Sequence, residues 1–207
     1  IIGGGVSVCA GASVPLNANV SGGDGTIIYS WSPTTDLSSS TIANPVSTPS
    51  VDRSYTVTIR DGNGIVAVSA PSNLTVNPSP TLSGASLSAA VCEGSGATIN
   101  LTGLLPGTTN TVSYSVNGTP QAAVTGVVAD GSGNASFVSA PLISANNGQN
   151  LQITGLTITS IAPNCSGSFA QNVILIVQES PEVTVNPIDK TVCNTGGTSF
   201  SVNAGVT

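Results

Sequence analysis

A short pattern occurs twice in this chain. Thr75-Val76-Asn77-Pro78 is followed by a polar stretch and Val91-Cys92-Glu93-Gly94, and Thr184-Val185-Asn186-Pro187 is followed by Val192-Cys193-Asn194-Thr195-Gly196. Val8-Cys9-Ala10-Gly11 repeats the second half of the pattern near the start. Proline fixes φ and removes a backbone donor, so an extended segment running into Asn-Pro stops there. A polar linker and a new cysteine-bearing strand then read as a domain junction. The spacing divides the chain into a unit at 1–80, a second at 81–183, and at 184–207 a linker with the opening strands of an incomplete third. A length of 207 residues suits two units of ordinary size and a remnant.

Between the junctions the apolar residues recur at period two. Residues 13–20, 54–60, 97–101 and 111–116 alternate apolar and polar positions, the pattern of strands with one buried face. Ser21-Gly22-Gly23-Asp24-Gly25, Asp61-Gly62-Asn63-Gly64, Asn117-Gly118, Asp130-Gly131 and Asn147-Gly148 supply the turns. Strand-forming Val and Thr punctuated by Gly and Pro, with no helix-favouring run, predict an all-β chain. An apolar fraction of 39% with regular alternation separates it from a disordered Ser/Thr-rich tract. The expected architecture is a tandem of antiparallel β-sandwiches of immunoglobulin type with Greek-key connections.

Charge removes whole classes of partner. The net charge is −6 with only 3 Lys and Arg, which lacks the basic footprint a phosphate backbone requires. No apolar run is long enough to span a membrane as a helix. The chain starts at Ile1 with no signal-like segment, which is expected of a processed or excised piece of something longer. Four Cys without Cys-x-x-Cys spacing, in a chain with no His, do not form a zinc set and point to disulfides in an oxidising, extracellular setting.

Three aromatic residues are expected in the core. Trp31, the one Trp of the chain, sits mid-strand and fits the plug between two packed sheets; a sugar-stacking platform is the competing reading. Tyr55 opens the cleanest alternating strand and takes the place of a tyrosine corner, whose hydroxyl ties a loop to the sheet. Tyr114 aligns with Trp31 in the second unit.

Gly25-Thr26-Ile27, Tyr29-Ser30-Trp31-Ser32-Pro33, Asp36-Leu37-Ser38, Ile42-Ala43-Asn44-Pro45-Val46 and Tyr55-Thr56-Val57-Thr58-Ile59-Arg60-Asp61-Gly62-Asn63-Gly64 carry a family resemblance. In this order they resemble the PKD-like, immunoglobulin-like repeats of very large secreted surface proteins of the Bacteroidetes. The second unit is similar through Cys165-Ser166-Gly167 before its last strand. The resemblance implies a cell-surface adhesin or gliding-type filament protein. Such repeats commonly carry Cys directly after the Asp-x-Asn-Gly turn, where this chain has Ile65.

Cys92 and Cys165 bracket the second unit, and a bridge between them would fasten its first strand to the loop before its last. Cys9 and Cys193 lack partners inside their own units. Cys9 is then a free thiol or bonds to another chain, Cys9 to Cys193 of a neighbouring subunit being one arrangement; the partner of Cys193 lies beyond residue 207 or in such a neighbour.

No catalytic, cofactor-binding or metal-binding residue is identified. Asp24, Asp36, Asp52 and Asp61 lack the Asp-x-Asp-x-Asp-Gly spacing of a calcium loop and read as turn carboxylates. Without His, a paired-carboxylate site or Gly-x-Ser-x-Gly, no general base or activated nucleophile is visible, and the chain is not expected to be an enzyme. The expectation is a secreted, cell-surface structural or adhesive repeat protein whose partners are neighbouring repeats or further copies, with a surface glycan or protein as ligand class. Residues 188–207 would either complete a partner's sheet head-to-tail by β-strand addition or belong to a domain continuing past 207. A carbohydrate-binding or spacer module of a secreted hydrolase is the alternative.

Overall fold

The computed structural model describes residues 5–179. The second Thr-Val-Asn-Pro copy, Cys193 and the strand-like residues 188–207 lie outside the described residues. Those described are nearly all strand and turn, with one 3-10 turn at Ser144–Asn146. Their buried apolar side chains fall into two clusters, one built from positions between Val14 and Leu74, the other from positions between Ala97 and Val177.

The first cluster lies under a five-stranded sheet. Val6–Cys9 pairs with Ser72–Asn77, which pairs with Arg53–Arg60, which pairs with Ile28–Ser32; Val66–Val68 occupies the rest of the Arg53–Arg60 edge. The opposing layer is a short ladder of Val14–Pro15 and Val46–Ser47. The strand expected over 13–20 is cut short because Pro15 and Pro45 have no N–H to donate. The chain nevertheless stays extended, with Leu16 N donating to Pro45 O and Ala18 N to Ala43 O. Val14, Leu16 and Ala18 therefore all point inward at period two.

The second cluster is larger and has two clear layers. Thr119–Pro120, Thr109–Val116, Asn150–Ile158 and Ser166–Ile174 form one sheet, with Val124–Val128 also on the Thr109–Val116 edge. Ala135–Pro141, Gly96–Thr102 and Gly84–Leu87 form the other. Asn117 and Gly118, at φ of 48° and 77°, make the tight turn between Val116 and Thr119. Positive φ at both central residues matches the right-handed twist of a hairpin, and Asn and Gly tolerate it best.

Two pairings depart from the antiparallel rule. Val6–Cys9 runs parallel to Ser72–Asn77, placing Cys9 opposite Asn77. Val91–Cys92 runs parallel to Val177–Gln178, placing Cys92 opposite Gln178. In the parallel pair of the second unit Gln178 takes the place that Asn77 has in the first; Asn186 of the second Thr-Val-Asn-Pro lies outside the described residues.

Candidate functional site: a covalent junction between two sandwiches

The expected Cys92–Cys165 bridge is not the one formed. Cys9 and Cys165 are joined, with S–S 2.04 Å, Cα–Cα 5.5 Å and a sequence separation of 156, while Cys92 is a free, exposed thiol. Cys9 is therefore neither free nor bonded to a neighbouring subunit. The second unit's own geometry forbids the expected pairing. Cys165 closes the loop at one end, where Ile158 N donates to its carbonyl, and nine residues of strand, Ser166–Ile174, carry the chain to the other end. Nine extended residues cover roughly 27 Å. Cys92 lies at that far end, opposite Gln178, whereas a disulfide needs Cα atoms within about 7 Å.

The bridge instead ties the first strand of one sandwich, Val6–Cys9, to the loop before Ser166–Ile174 of the next. Asn77 reinforces it: its side-chain amide donates to Ala162 O at 2.9 Å and to Pro163 O at 3.3 Å, and its own carbonyl accepts from Ala10 N. Asn77 and Cys165 are both buried, at 6% and 2% exposure. A buried amide must find partners, so its two bonds fix the loop that carries the sulfur. Pro78 and Pro80 stiffen the connector, and Gly167 leaves room for Pro80: a Cβ there would lie 3.1 Å from Pro80 Cγ. The Ala162–Pro163 peptide is cis.

Each sandwich is braced around its aromatic residues. Trp31, 2% exposed, sits in the first core and donates from Nε1 to Ile42 O at 2.8 Å. Buried there, it offers no face for stacking a sugar. Tyr55 is fully buried; its hydroxyl donates to Thr35 O at 2.9 Å and lies 3.0 Å from the Ser47 hydroxyl. Tyr114 is buried in the second core, 5.3 Å from Phe137 between ring centroids, and its hydroxyl accepts from Ala140 N at 2.7 Å. It holds the strand Ala135–Pro141, whereas Trp31 holds a loop through Ile42, so the two share a core location and not a bonding role.

The carboxylates organise turns. Asp61 Oδ1 accepts from Ile65 N and Asn63 N, and its Oδ2 from Asp24 N. Asp130 Oδ1 accepts from Asn134 N and Ser132 N. These donors, Ile65 N foremost for Asp61 and Asn134 N for Asp130, hold both carboxyls below the ordinary 3.8. Asp36 pairs with Arg53 at 2.8 Å, and Asp52 accepts from Val76 N at 2.7 Å. Among the described residues no three His, Cys, Asp or Glu side chains gather as a metal set, and no helix is long and apolar enough to cross a membrane. The first sandwich also bears an exposed apolar stripe of Ile28, Ile65, Val66 and Val68.

No protein-family model matches the chain, and no curated relative matches it. Solved structures do. An I-band fragment of titin superposes with a TM-score of 0.50 at 16% identity, over 88% of this chain and 65% of that one. A marsupial T cell receptor superposes with a TM-score of 0.51 at 11% identity, over 87% and 72%. The chain thus spans just under two thirds of the titin fragment. These likenesses, with the sheets described above, define the fold as all-β and immunoglobulin-like, built of antiparallel β-sandwiches.

Proposed function

We propose that this chain is a load-transmitting segment of an extracellular structural or adhesive repeat protein, with units at 1–80 and 81–183 and the start of a third at 184–207. One observation carries the reading: the Cys9–Cys165 bond crosses from one sandwich to the next. A bridge inside a domain stabilises that domain. One between domains restricts their relative motion, and a chain gains from that when it acts as a spacer or a tether. The buried Asn77 bonds and the Pro78 and Pro80 connector restrict the same hinge. A disulfide of this kind persists in an oxidising compartment, which supports a secreted or surface location. The resemblance of Tyr29-Ser30-Trp31-Ser32-Pro33 and the Asp61-Gly62-Asn63-Gly64 turn to Bacteroidetes PKD-like repeats supports, within this class, a bacterial cell-surface adhesin or filament. Neutral faces rich in Ser, Thr and Asn would contact neighbouring repeats or a surface glycan or protein through uncharged hydrogen bonds.

Small-angle scattering of the 1–207 chain, with and without reductant, tests the proposal. A rod-like segment gives a narrow distance distribution that broadens on reduction while β content is kept. An unchanged distribution would show that the bridge restrains nothing and would remove the basis for the reading.

A further inference from the structure

We infer that Cys92 is the anchor of a second inter-unit disulfide, made to the cysteine that stands at the position of Cys165 in the sandwich that follows the second unit. The inference rests on the repeat-protein reading above and deepens it.

The observation is a residue-by-residue match between the ends of the two described units. Cys9 lies opposite Asn77 in a parallel pair, and Cys92 lies opposite Gln178 in a parallel pair. Ala10 N donates to Asn77 O as Glu93 N donates to Gln178 O. Gly11 N donates to Pro49 O as Gly94 N donates to Leu142 O, and both glycines hold positive φ, 76° and 84°. Ala12 N donates to Cys9 O as Ser95 N donates to Cys92 O. The two cysteines thus stand at one structural position, and in the first unit that position is bonded to the next sandwich. In the second it presents an exposed thiol.

The chain that leaves this position matches too. From Asn77 to the next leading cysteine is 92 − 77 = 15 positions, and from Gln178 it is 193 − 178 = 15. Ser79-Pro80 and Ser180-Pro181 fall at the same offsets in these connectors. Cys193 is by this spacing the leading cysteine of a third unit. It is therefore a counterpart of Cys9 and Cys92, and not of Cys165. Cys165 is already taken by Cys9. The partner of Cys92 is then the cysteine at the Cys165 position of the third unit, in the loop before its counterpart of Ser166–Ile174, past residue 207.

The first unit shows the acceptor position from its other side. Asp61 N donates to Ile65 O as Ile158 N donates to Cys165 O, so Ile65 occupies the place of Cys165. With Ile there, the first unit gives a bridge but cannot receive one, whereas the second does both. The linkage has a direction, each leading cysteine reaching forward by one unit.

Bond formation is a thiol–disulfide exchange with a disulfide donor of the secretory compartment. The Cys92 thiolate attacks the donor disulfide and expels one donor thiolate. The partner thiolate then attacks the Cys92 sulfur of the mixed disulfide and expels the second. Cys92 and its partner are oxidised by two electrons, the donor is reduced to two thiols, and the protons of the two protein thiols end on the donor sulfurs.

The test is disulfide mapping of the full native polypeptide, isolated with its thiols blocked by N-ethylmaleimide and digested unreduced with pepsin at low pH, where exchange is suppressed. The expected result is a Cys92 peptide linked to a peptide from beyond residue 207, with loss of maleimide labelling at Cys92 relative to the 1–207 chain. A maleimide-labelled Cys92 in the native protein overturns the inference, as does a link to Cys193 or to Cys92 of a second copy. If Cys9–Cys165 is present in that case, the inference alone fails. If Cys9–Cys165 is also missing, the rod reading fails with it. As a second measurement, Cys92→Ser in the native polypeptide should leave Cys9–Cys165 intact and release one new thiol, in the following unit. Release of no thiol counts against the inference.

Discussion

Asn77 donates its side-chain amide to the carbonyl of Ala162 at 2.9 Å, across 85 positions of sequence and from one sandwich into the next. The same nitrogen reaches Pro163 O at 3.3 Å, and the Asn77 carbonyl lies 4.0 Å from Cys165 Sγ. One buried side chain thus positions the loop that carries the bridging sulfur. Replacing it leaves two carbonyls without that donor in a part-buried site, at a cost of about 1–3 kcal/mol. Asn77→Ala is expected to weaken the junction and leave the two cores unchanged. Hydrogen exchange should show faster opening at 158–167 and no change at 97–101; equal protection at both in wild type and variant would contradict this.

Removing the bridge should uncouple the two sandwiches. The Cys9–Cys165 link closes a loop of 156 positions, for which the chain-entropy estimate is about 5 kcal/mol. Much of that acts between units, since each cluster of buried side chains is separate. Cys9→Ser and Cys165→Ser are each expected to split calorimetric unfolding into two transitions, and the double variant should match either single one. A single sharp transition in the Cys9→Ser chain would show that the interface alone couples the units.

Trp31 and Tyr55 predict separable losses in the first core. Trp31→Ala removes the largest buried side chain and its bond to Ile42 O, with an expected cost of about 3–5 kcal/mol. Tyr55→Phe keeps the ring and loses only the bonds to Thr35 O and the Ser47 hydroxyl, about 1–2 kcal/mol. Urea unfolding of the two variants measures both, and a Trp31→Ala chain as stable as wild type would place the indole outside the core.

The strands, the aromatic positions and the turns were legible because each is a local pattern. Alternation over 54–60 and 97–101 reports one buried face, and Arg53–Arg60 and Gly96–Thr102 are the strands that result. Asn117-Gly118 needs only its own backbone to make a turn. The disulfide is not local. Pairing Cys92 with Cys165 assumes that a unit closes on itself, while the length of Ser166–Ile174 keeps its two cysteines at opposite ends. The signal that was available was Ile65: a first unit with no acceptor implies that Cys9 bonds forward. Reading it required strand register, which sets Ile65 against Cys165 and Asn77 against Gln178.

The two turn carboxylates set a pH dependence whose sign follows from their shifts. Hydrogen bonds from Ile65 N to Asp61 and from Asn134 N to Asp130 stabilise the ionised forms and lower both pKa values from the ordinary 3.8. A carboxyl whose folded pKa is depressed contributes its full stability above the unfolded value, and loses it as pH falls through the folded value. The contribution is therefore present at neutral pH and disappears on acidification below about pH 4. Asp61→Asn and Asp130→Asn should each be less stable than wild type at pH 7, and the gap should narrow as pH is lowered toward 2. Urea midpoints measured across that range decide it. A gap that stays constant would mean the turns are held by shape and not by the charge of their carboxylates.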